Sequence, residues 1–290
     1  MEHAVLGAGA VGGLVGTALA SLGEGITVIV RSERLPDYPV NLSAERPSST
    51  ITAPAKVAAT VANPVDVLWI ATKTYQLEKA LESVHSLPRY VVPLLNGVDH
   101  VELLRARFGR DRVLPATIAV EAERIAPGRF VQRSPFVNLN LASSGEQILG
   151  AIVARLHDLG FTCNFIPNEH TLLWSKLCFL GPLALVTSAS GMNKGEVYAD
   201  AEWKRKLISA MTEACAVAKA SGAEVEPVQI QAIYDALPAG IRSSMQKDLA
   251  AGQPLELDAI GGPIVRGGER YGINVSTVAA LIGAIRGKAA

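Results

Sequence analysis

Short apolar runs alternate with helical stretches through the first part of the chain. Each run is four to six residues long and rich in β-branched side chains, which is typical of strands buried on both faces of a parallel sheet. The runs are His3–Leu6, Ile26–Val30, Val67–Ala71 and Tyr90–Leu95. From His3 to about Phe165 the pattern therefore predicts βαβ units on a mostly parallel, doubly wound sheet.

The stretch from Pro36 to Ala55 breaks this alternation. It holds four prolines and several Ser and Thr residues, a composition that favours turns over regular structure. We predict a loop here, with short edge strands as the alternative.

After Pro167 the apolar spacing becomes helical and stays so to the end. The predicted helices are Leu172–Thr187, Glu202–Ser221, Pro227–Leu237, Leu255–Tyr271 and Val275–Arg286. The chain should therefore be α/β, with an N-terminal doubly wound domain (1–166) followed by an all-helical C-terminal domain (167–290). We expect a tight hinge near residues 165–168 with a cleft beside it.

Composition narrows the classes of partner. Of the 290 residues, 49% are hydrophobic and 19% charged, and the 27 basic residues balance the 27 acidic ones to a net charge of +0. Such a chain has no overall basic field for nucleic acid or an anionic membrane, so a small-molecule partner is favoured.

Cysteine and histidine usage predicts neither a disulfide framework nor a metal site. Cys163, Cys178 and Cys215 are odd in number, far apart and set in apolar stretches, as buried free thiols of a reducing, cytoplasmic compartment are. The five histidines show no zinc-ligand spacing.

Two apolar segments could be mistaken for membrane spans. Residues 4–23 carry no charge, but no Lys or Arg precedes them and they contain several glycines. Leu177–Asn193 is shorter than the roughly 20 residues that a bilayer needs and contains Gly181-Pro182. We predict that both segments belong to a folded core.

A Gly-x-Gly-x-x-Gly match follows the first predicted strand and opens a helix. In that context the first glycine permits a tight turn, the second lets the backbone approach a pyrophosphate, and the third allows close helix packing. The alternative is that the glycines only ease packing. We predict a Rossmann-type dinucleotide site formed by Gly7, Ala8, Gly9, Ala10, Val11 and Gly12.

The end of the second strand indicates which dinucleotide binds. NAD-binding chains usually place Asp or Glu there to accept the ribose 2′-hydroxyl, whereas this chain has Val30-Arg31-Ser32. A guanidinium can pair with a 2′-phosphate, so Arg31 predicts NADPH. The alternative is a solvated loop arginine, and the neighbouring Glu33 and Arg34 weaken the distinction.

Three further side chains are candidates for chemistry. Lys73 and Asn96 follow predicted strands, at the edge where open α/β sheets bind ligands, although a solvated lysine and an Asn-Gly turn explain them equally well. Lys176 lies within an apolar helix, where burial would lower the ammonium pKa and make it a competent proton donor. The alternative for Lys176 is a lysine that extends its amine to the surface.

Together these features resemble the ketopantoate reductases (2-dehydropantoate 2-reductases). The resemblance spans the whole chain. Its motifs are the glycine turn, Arg31, Ala71-Thr72-Lys73, Leu95-Asn96-Gly97-Val98, Leu173-Trp174-Ser175-Lys176-Leu177, Ser243-Ser244-Met245 and Leu255-Glu256-Leu257-Asp258. It implies NADPH-dependent reduction of 2-dehydropantoate to pantoate, in pantothenate biosynthesis.

The resemblance also implies a role for each site residue. Lys176 would be the general acid that protonates the ketone oxygen, Glu256 would hold the substrate hydroxyl, and Ser244 would help to bind the carboxylate. Lys73 and Asn96 would line the junction of cofactor and substrate.

The chain departs from that family where the substrate is recognised. Family members usually carry asparagines four and eight residues after the catalytic lysine, where this chain has Leu180 and Ala184. Lys194 stands where a further asparagine is expected, and Asn193 is adjacent. Fewer polar partners should weaken recognition of the substrate hydroxyls, so a more apolar 2-keto acid is an alternative substrate.

Two other functions remain open from the sequence. One is an enzyme of the wider hydroxyacid or opine dehydrogenase type, against which Ser244 and Glu256 argue. The other is a non-catalytic NADP-binding sensor, against which Lys176 and Glu256 argue. A homodimer is possible, because the apolar helical domain could pair with a second copy.

Overall fold

A computed structural model describes residues 1–289. The strands are β1 (Glu2–Leu6), β2 (Gly25–Ile29), β3 (Asn41–Arg46), β4 (Ser49–Pro54), β5 (Lys56–Ala58), β6 (Val67–Ile70), β7 (Tyr90–Pro93), β8 (Ala116–Ala119), β9 (Ala122–Ala126), β10 (Arg129–Gln132), β11 (Asn138–Ala142) and β12 (Thr162–Ile166). The helices are α1 (Ala10–Ser21), α2 (Leu77–Leu81), α3 (His100–Phe108), α4 (Glu146–Asp158), α5 (Glu169–Ser190), α6 (Lys194–Ala199), α7 (Ala201–Ala220), α8 (Pro227–Ala236), α9 (Ser244–Ala250), α10 (Leu257–Tyr271) and α11 (Ser276–Ala289).

The chain forms two compact units. The first comprises Met1–Leu95 and His100–Pro167, and the second comprises Asn96–Asp99 and the chain from Asn168 onward. The first unit holds all the strands and the second is helical, which confirms the predicted α/β class with an all-helical C-terminal part. The short segment Asn96–Asp99 groups with the helices although it follows β7, which sequence order alone does not indicate.

The parallel sheet of the first unit has the strand order β5-β2-β1-β6-β7. All four predicted apolar runs lie in it, and Leu6 at the end of β1 is in register with Ile29 of β2 on one side and Ile70 of β6 on the other. Strand order changes direction at β1, because the next strand along the chain lies on one side of it and β6 on the other. In open α/β sheets, ligands bind at the carboxyl ends of strands beside such a switch point.

The expectation of one mostly parallel sheet was wrong for the rest of this unit. A four-stranded sheet with the order β4-β3-β10-β9 and a three-stranded sheet with the order β12-β11-β8 complete it, and both contain antiparallel pairs. The Pro36–Ala55 region is not mainly loop, since β3 and β4 form a hairpin there and β3 is an interior strand. Leu42 and Ala44 point inward at alternate positions of β3, a period-two signal that the surrounding prolines obscure.

Helix α1 packs against the four-stranded sheet through a glycine. A Cβ atom on Gly13 would lie 2.0 Å from the Phe130 ring of β10, so only a residue without a side chain lets the helix approach this closely. The contact fixes the position of α1, and therefore of the turn that precedes it.

The second unit is built around α5. This helix is the one element of residues 1–289 that is long and apolar enough to cross a membrane by composition, but 78% of its apolar window is buried inside the protein. It is a core helix, as predicted, although it runs from Glu169 to Ser190 rather than from Leu172 to Thr187. Its start is fixed by Asn168, whose side chain accepts a hydrogen bond from the Thr171 amide.

Two short helices were missed by the periodicity analysis. Helices α6 and α9 are only six and seven residues long, too short to display an apolar repeat. Their N-caps were readable: Asn193 and Glu196 form a capping box, and Ser243 caps α9. All three cysteines are free and buried, as predicted.

Candidate active site

The glycine turn after β1 is shaped by close backbone approaches. Gly7 has φ +101°, and a Cβ atom there would lie 2.8 Å from the backbone of Ala71 and Thr72, which follow β6. A Cβ atom on Gly12 would lie 2.2 Å from the Gly7 carbonyl oxygen. The two loops at the switch point are therefore in contact through a backbone conformation that only glycine allows.

The start of α1 is suited to an anionic ligand. Gly9 caps the helix without a side-chain hydrogen bond, and the first turn contains no acidic residue. A Cβ atom on Gly9 would meet nothing within 4 Å, so the backbone here is open to a ligand. The positive end of the helix and its amides are thus available to phosphate, and the site fits the pyrophosphate of a dinucleotide.

Arg31 follows β2 and precedes a short 3₁₀ helix, Ser32–Asp37. Its side chain is 79% exposed, and its guanidinium lies 3.7 Å from the carboxylate of Glu33. An exposed pair of this kind contributes little to stability, so a ligand phosphate can compete with Glu33 for the guanidinium. This placement fits the predicted role at a 2′-phosphate.

The carbonyl oxygen of Ala8 in the glycine turn accepts two side-chain hydrogen bonds. One comes from the Tyr38 hydroxyl over 3.2 Å and the other from Arg124 Nη1 over 3.3 Å. The sequence analysis singled out neither residue. Arg124 lies on β9, more than a hundred positions from the turn. No local signal in the chain could have found it.

Lys73 also belongs to the first unit. It is half-buried and precedes the 3₁₀ helix Thr74–Gln76, just after β6. Its backbone carbonyl accepts a hydrogen bond from the Gln76 amide. Lys73 is therefore at the carboxyl edge of the parallel sheet, as predicted, on the loop that contacts Gly7.

Lys176 lies on α5 in the second unit and is half-buried. Burial lowers the pKa of its ammonium from 10.5 to about 8, an effect that the negative charge of Glu256 partly offsets. Glu256 is buried, with 6% of its surface exposed, and occupies the N-cap position of α10. The structure thus brings together a lysine poised to give up a proton near neutral pH and a buried carboxylate.

Asn96 joins this group through the segment Asn96–Asp99. Its side-chain amide donates a hydrogen bond to Glu256 Oε2 over 3.2 Å. The next residue, Gly97, has φ +84°, and a Cβ atom on it would lie 2.4 Å from the Ala259 carbonyl oxygen. Gly97 therefore meets both a conformational and a steric requirement for glycine, and its contact with α10 sets Asn96 against Glu256.

An ion pair with an arginine of α10 holds the other end of the segment Asn96–Asp99. Arg266 of α10 pairs with Asp99 over 2.5 Å and with Asp258 over 2.9 Å. The three side chains are about half or more exposed, so the bridge contributes more to the position of the segment than to the free energy of folding.

Ser244 is exposed and is the first residue of α9. Its neighbour Ser243 is the buried member of the pair: Ser243 Oγ accepts a hydrogen bond from the Gln246 amide over 3.1 Å and lies 2.9 Å from Thr187 Oγ1. Among residues 1–289 no hydrogen bond joins Ser244 to Lys176, Glu256 or Asn96. Ser243 caps the helix, which leaves the Ser244 side chain unconstrained.

The positions that depart from the family pattern differ in their surroundings. Leu180, one turn after Lys176, is partly exposed, whereas Ala184 is packed in the core of the second unit. Lys194 is 7% exposed, and its ammonium lies 4.2 Å from the centre of the Tyr198 ring and donates to the Leu237 carbonyl. Lys194 is thus held by structural contacts.

No group of three or more His, Cys, Asp or Glu side chains able to hold a metal ion occurs in residues 1–289.

We compared the chain with known protein families, curated proteins and solved structures. Residues 3–143 match the family model "Ketopantoate reductase PanE/ApbA", and residues 170–289 match "Ketopantoate reductase PanE/ApbA C terminal". The chain is 33% identical over 284 residues to the 2-dehydropantoate 2-reductase of Caulobacter vibrioides, covering 93% of each chain.

Solved structures agree on the fold. A PanE/ApbA family ketopantoate reductase from Ralstonia eutropha superposes with a TM-score of 0.87 at 24% identity, covering 100% of this chain and 98% of that one. A 2-dehydropantoate 2-reductase from Geobacter metallireducens superposes with a TM-score of 0.88 at 21% identity, covering 99% of each. The family models, which together span most of the sequence, and the relative from Caulobacter vibrioides establish that this chain belongs to the ketopantoate reductase PanE/ApbA family.

Proposed function

We propose that this protein reduces a 2-keto acid to a 2-hydroxy acid with NADPH, and that 2-dehydropantoate is the substrate and pantoate the product. The observation that carries the proposal is the pair Lys176 and Glu256. A half-buried ammonium whose pKa is lowered to about 8 lies in the field of a buried carboxylate, in a chain of the ketopantoate reductase family. Such a reaction belongs to pantothenate biosynthesis.

Except for Asn96, the residues proposed to bind the cofactor belong to the first unit. The amides at the start of α1 bind the pyrophosphate, Arg31 binds the 2′-phosphate, and Lys73 and Asn96 contact the reacting end. When bound, the reduced nicotinamide supplies the hydride that adds to the keto carbon. The residues of the glycine turn in this role are Gly7, Ala8, Gly9, Ala10, Val11 and Gly12.

Lys176 supplies the proton. Addition of hydride to a ketone leaves negative charge on the oxygen, and a cation within hydrogen-bond reach stabilises that charge more in the transition state than in the ground state. With its pKa lowered to about 8, the Lys176 ammonium is a stronger acid than an exposed lysine, while most of it remains protonated at neutral pH.

Glu256, Asn96 and Ser244 bind and orient the substrate in this proposal. The Glu256 carboxylate accepts a hydrogen bond from the substrate hydroxyl, and the Asn96 amide, which donates to Glu256 Oε2, fixes that carboxylate. The exposed Ser244 hydroxyl is available to the substrate carboxylate. The proposed division of the chain is a cofactor domain of residues 1–166 and a substrate domain of residues 167–290.

The test is NADPH oxidation, followed by absorbance, with 2-dehydropantoate and a panel of other 2-keto acids. Lys176→Ala should lower kcat by about 10²–10⁴-fold, the range for loss of a general acid. Lys206→Ala is the matched control, because it removes a partly exposed lysine of α7 whose contacts are with Glu202 and the Trp203 ring of the same helix. Tight NADPH binding without turnover of any keto acid by the wild type would instead support a cofactor sensor.

Leu180 favours a second candidate substrate for the same reaction. This partly exposed leucine lies one helical turn from Lys176, where a polar side chain would be needed to bind a substrate hydroxyl. A 2-keto acid with a branched or aromatic side chain is therefore the alternative substrate. The ratio of kcat/KM for such an acid to that for 2-dehydropantoate separates the two.

The assembly and location of the protein are part of the proposal. We expect a cytoplasmic enzyme, in keeping with its three free cysteines, and a homodimer. Light scattering of the purified protein tests the dimer, and a monomeric mass would contradict it.

A further inference from the structure

The pairing of β9 with β10 turns Arg124 toward the cofactor turn. Arg124 lies directly opposite Phe130 in the antiparallel register, and directly opposite residues project from the same face of a sheet. Phe130 uses that face to pack against Gly13 of α1. Arg124 therefore projects toward α1 as well, and it reaches the turn before the helix.

The hydrogen bond from Arg124 to Ala8 shows which side of the glycine turn the guanidinium approaches. Its Nη1 donates to the Ala8 carbonyl oxygen, which also accepts the hydrogen bond from Tyr38. Tyr38 closes the segment that begins at Arg31, so this carbonyl faces the segment that follows β2. In dinucleotide-binding folds the ribose 2′ position lies at that end of the second strand.

The Arg124 guanidinium also differs from those of Arg31 and Arg34 in that no carboxylate in the described part of the chain pairs with it. Arg31 lies 3.7 Å from Glu33, and Arg34 lies 3.3 Å from Asp37. No carboxylate lies within 4 Å of Arg124 in residues 1–289, and the carboxylate of the adjacent Glu123 pairs with Arg133. A guanidinium has five N–H donors, and Arg124 uses one of them on a neutral carbonyl.

We propose that Arg124 is a second guanidinium for the 2′-phosphate of NADPH and, with Arg31, determines the preference for NADPH over NADH. The inference rests on the cofactor of the proposed function. A phosphate monoester carries close to two negative charges at neutral pH, and two guanidiniums match it in charge and in hydrogen-bond donors. Arg31 alone, shared with Glu33, supplies less than that.

Calorimetric binding of two nucleotide fragments to the full chain tests this without any turnover. The fragments 2′,5′-ADP and 5′-AMP differ only in the 2′-phosphate. Arg124→Ala should raise the Kd for 2′,5′-ADP by about tenfold, since one charge-assisted hydrogen bond is lost, and leave the Kd for 5′-AMP within about twofold. Arg124→Lys, which keeps the charge but not the planar fork, should give an intermediate Kd.

Arg129→Ala is the matched control, because it removes an exposed arginine from β10 of the same sheet, where it lies opposite Ala126. It should change neither Kd by more than about twofold. Equal weakening of both fragments by Arg124→Ala, or an unchanged Kd for 2′,5′-ADP, overturns the inference. Failure of the wild type to reduce any keto acid would defeat the proposed reaction while leaving this binding test intact.

Discussion

The side-chain amide of Asn96 donates a hydrogen bond to the carboxylate of Glu256 across 160 positions of sequence. The two residues meet because the segment Asn96–Asp99 lies against the first turn of α10. Contact at Gly97 and the ion pairs of Arg266 hold the two ends of that segment. In the proposed function Glu256 orients the substrate, which requires a fixed carboxylate rotamer, and the hydrogen bond from Asn96 contributes to that constraint.

Gly97→Ala should therefore impair both stability and activity. A Cβ atom at this position would lie 2.4 Å from the Ala259 carbonyl oxygen, and φ +84° is strained for alanine. We expect a loss of about 2–4 kcal/mol in the free energy of unfolding, measured with urea, and a lower kcat/KM because Asn96 moves away from Glu256.

Gly109→Ala is the control for the backbone strain. Gly109 has φ +96°, but a Cβ atom there would meet nothing within 4 Å. It should cost about 1 kcal/mol and leave kcat/KM unchanged. Equal effects of the two substitutions on kcat/KM would show that the close approach at Gly97 does not position the site.

The sequence located this region but could not explain it. Asn96-Gly97 was predicted to be functional because it follows a buried strand, and the alternative was a simple turn. The turn is confirmed, since Gly97 adopts a positive φ, and the functional role of Asn96 stays a prediction. The reason for the glycine is the carbonyl of Ala259, which only the tertiary structure brings to it. Arg124 was missed for the same cause: its contact with Ala8 depends on strand pairing between distant segments.

The reduction rate should depend on pH through Lys176. Its pKa is lowered to about 8 by burial, so the ammonium that donates the proton is depleted as the pH rises through that value. We expect kcat/KM for keto acid reduction to be flat below about pH 7 and to fall about tenfold per pH unit well above pH 8. The reverse oxidation needs the neutral amine and should increase over the same range. A reduction profile that stays flat to pH 10 would remove Lys176 as the acid.

The same burial should cost the protein stability. In the folded state the pKa of Lys176 is lowered from 10.5 to about 8, so at pH 7 the fold holds a charged group that the unfolded chain solvates better. At about 1.4 kcal/mol per pKa unit the penalty is on the order of 3 kcal/mol. Lys176→Met should thus raise the Tm at pH 7 while abolishing turnover.

The sign of this effect can be checked with pH. Between about pH 8 and 10.5 the unfolded chain binds a proton at Lys176 that the folded chain does not, so the wild type should gain stability with rising pH over that window. The Tm advantage of Lys176→Met should shrink at pH 10. An advantage that is the same at both pH values would mean that packing, not the charge, causes it.

The fold was predictable where the apolar pattern is strong and not where it is weak. The four buried strands and the long helices follow from their periodicity. The hairpin of β3 and β4 was not predicted, because nearby prolines indicated a loop. The strand signal, in which the inward side chains of Leu42 and Ala44 alternate with polar ones, is only one short strand long. The burial of the two adjacent serines could not be predicted, because it depends on which of them caps α9. Ser243 is the N-cap and is buried, and Ser244 is exposed.

Arg31→Ala should separate the two nicotinamide cofactors. Arg31 is exposed after the end of β2 and forms a weak ion pair with Glu33 at 3.7 Å, so its removal should leave the fold intact. We expect the Kd for NADPH, followed by cofactor fluorescence, to rise at least about tenfold with little change for NADH. Arg34→Ala is the control, since it removes a guanidinium of the same 3₁₀ segment that is also more than half exposed and pairs with Asp37. If Arg34→Ala weakened NADPH as much as Arg31→Ala, the effect would come from the general positive charge of the segment, and the specific contact of Arg31 with the 2′-phosphate would have to be abandoned.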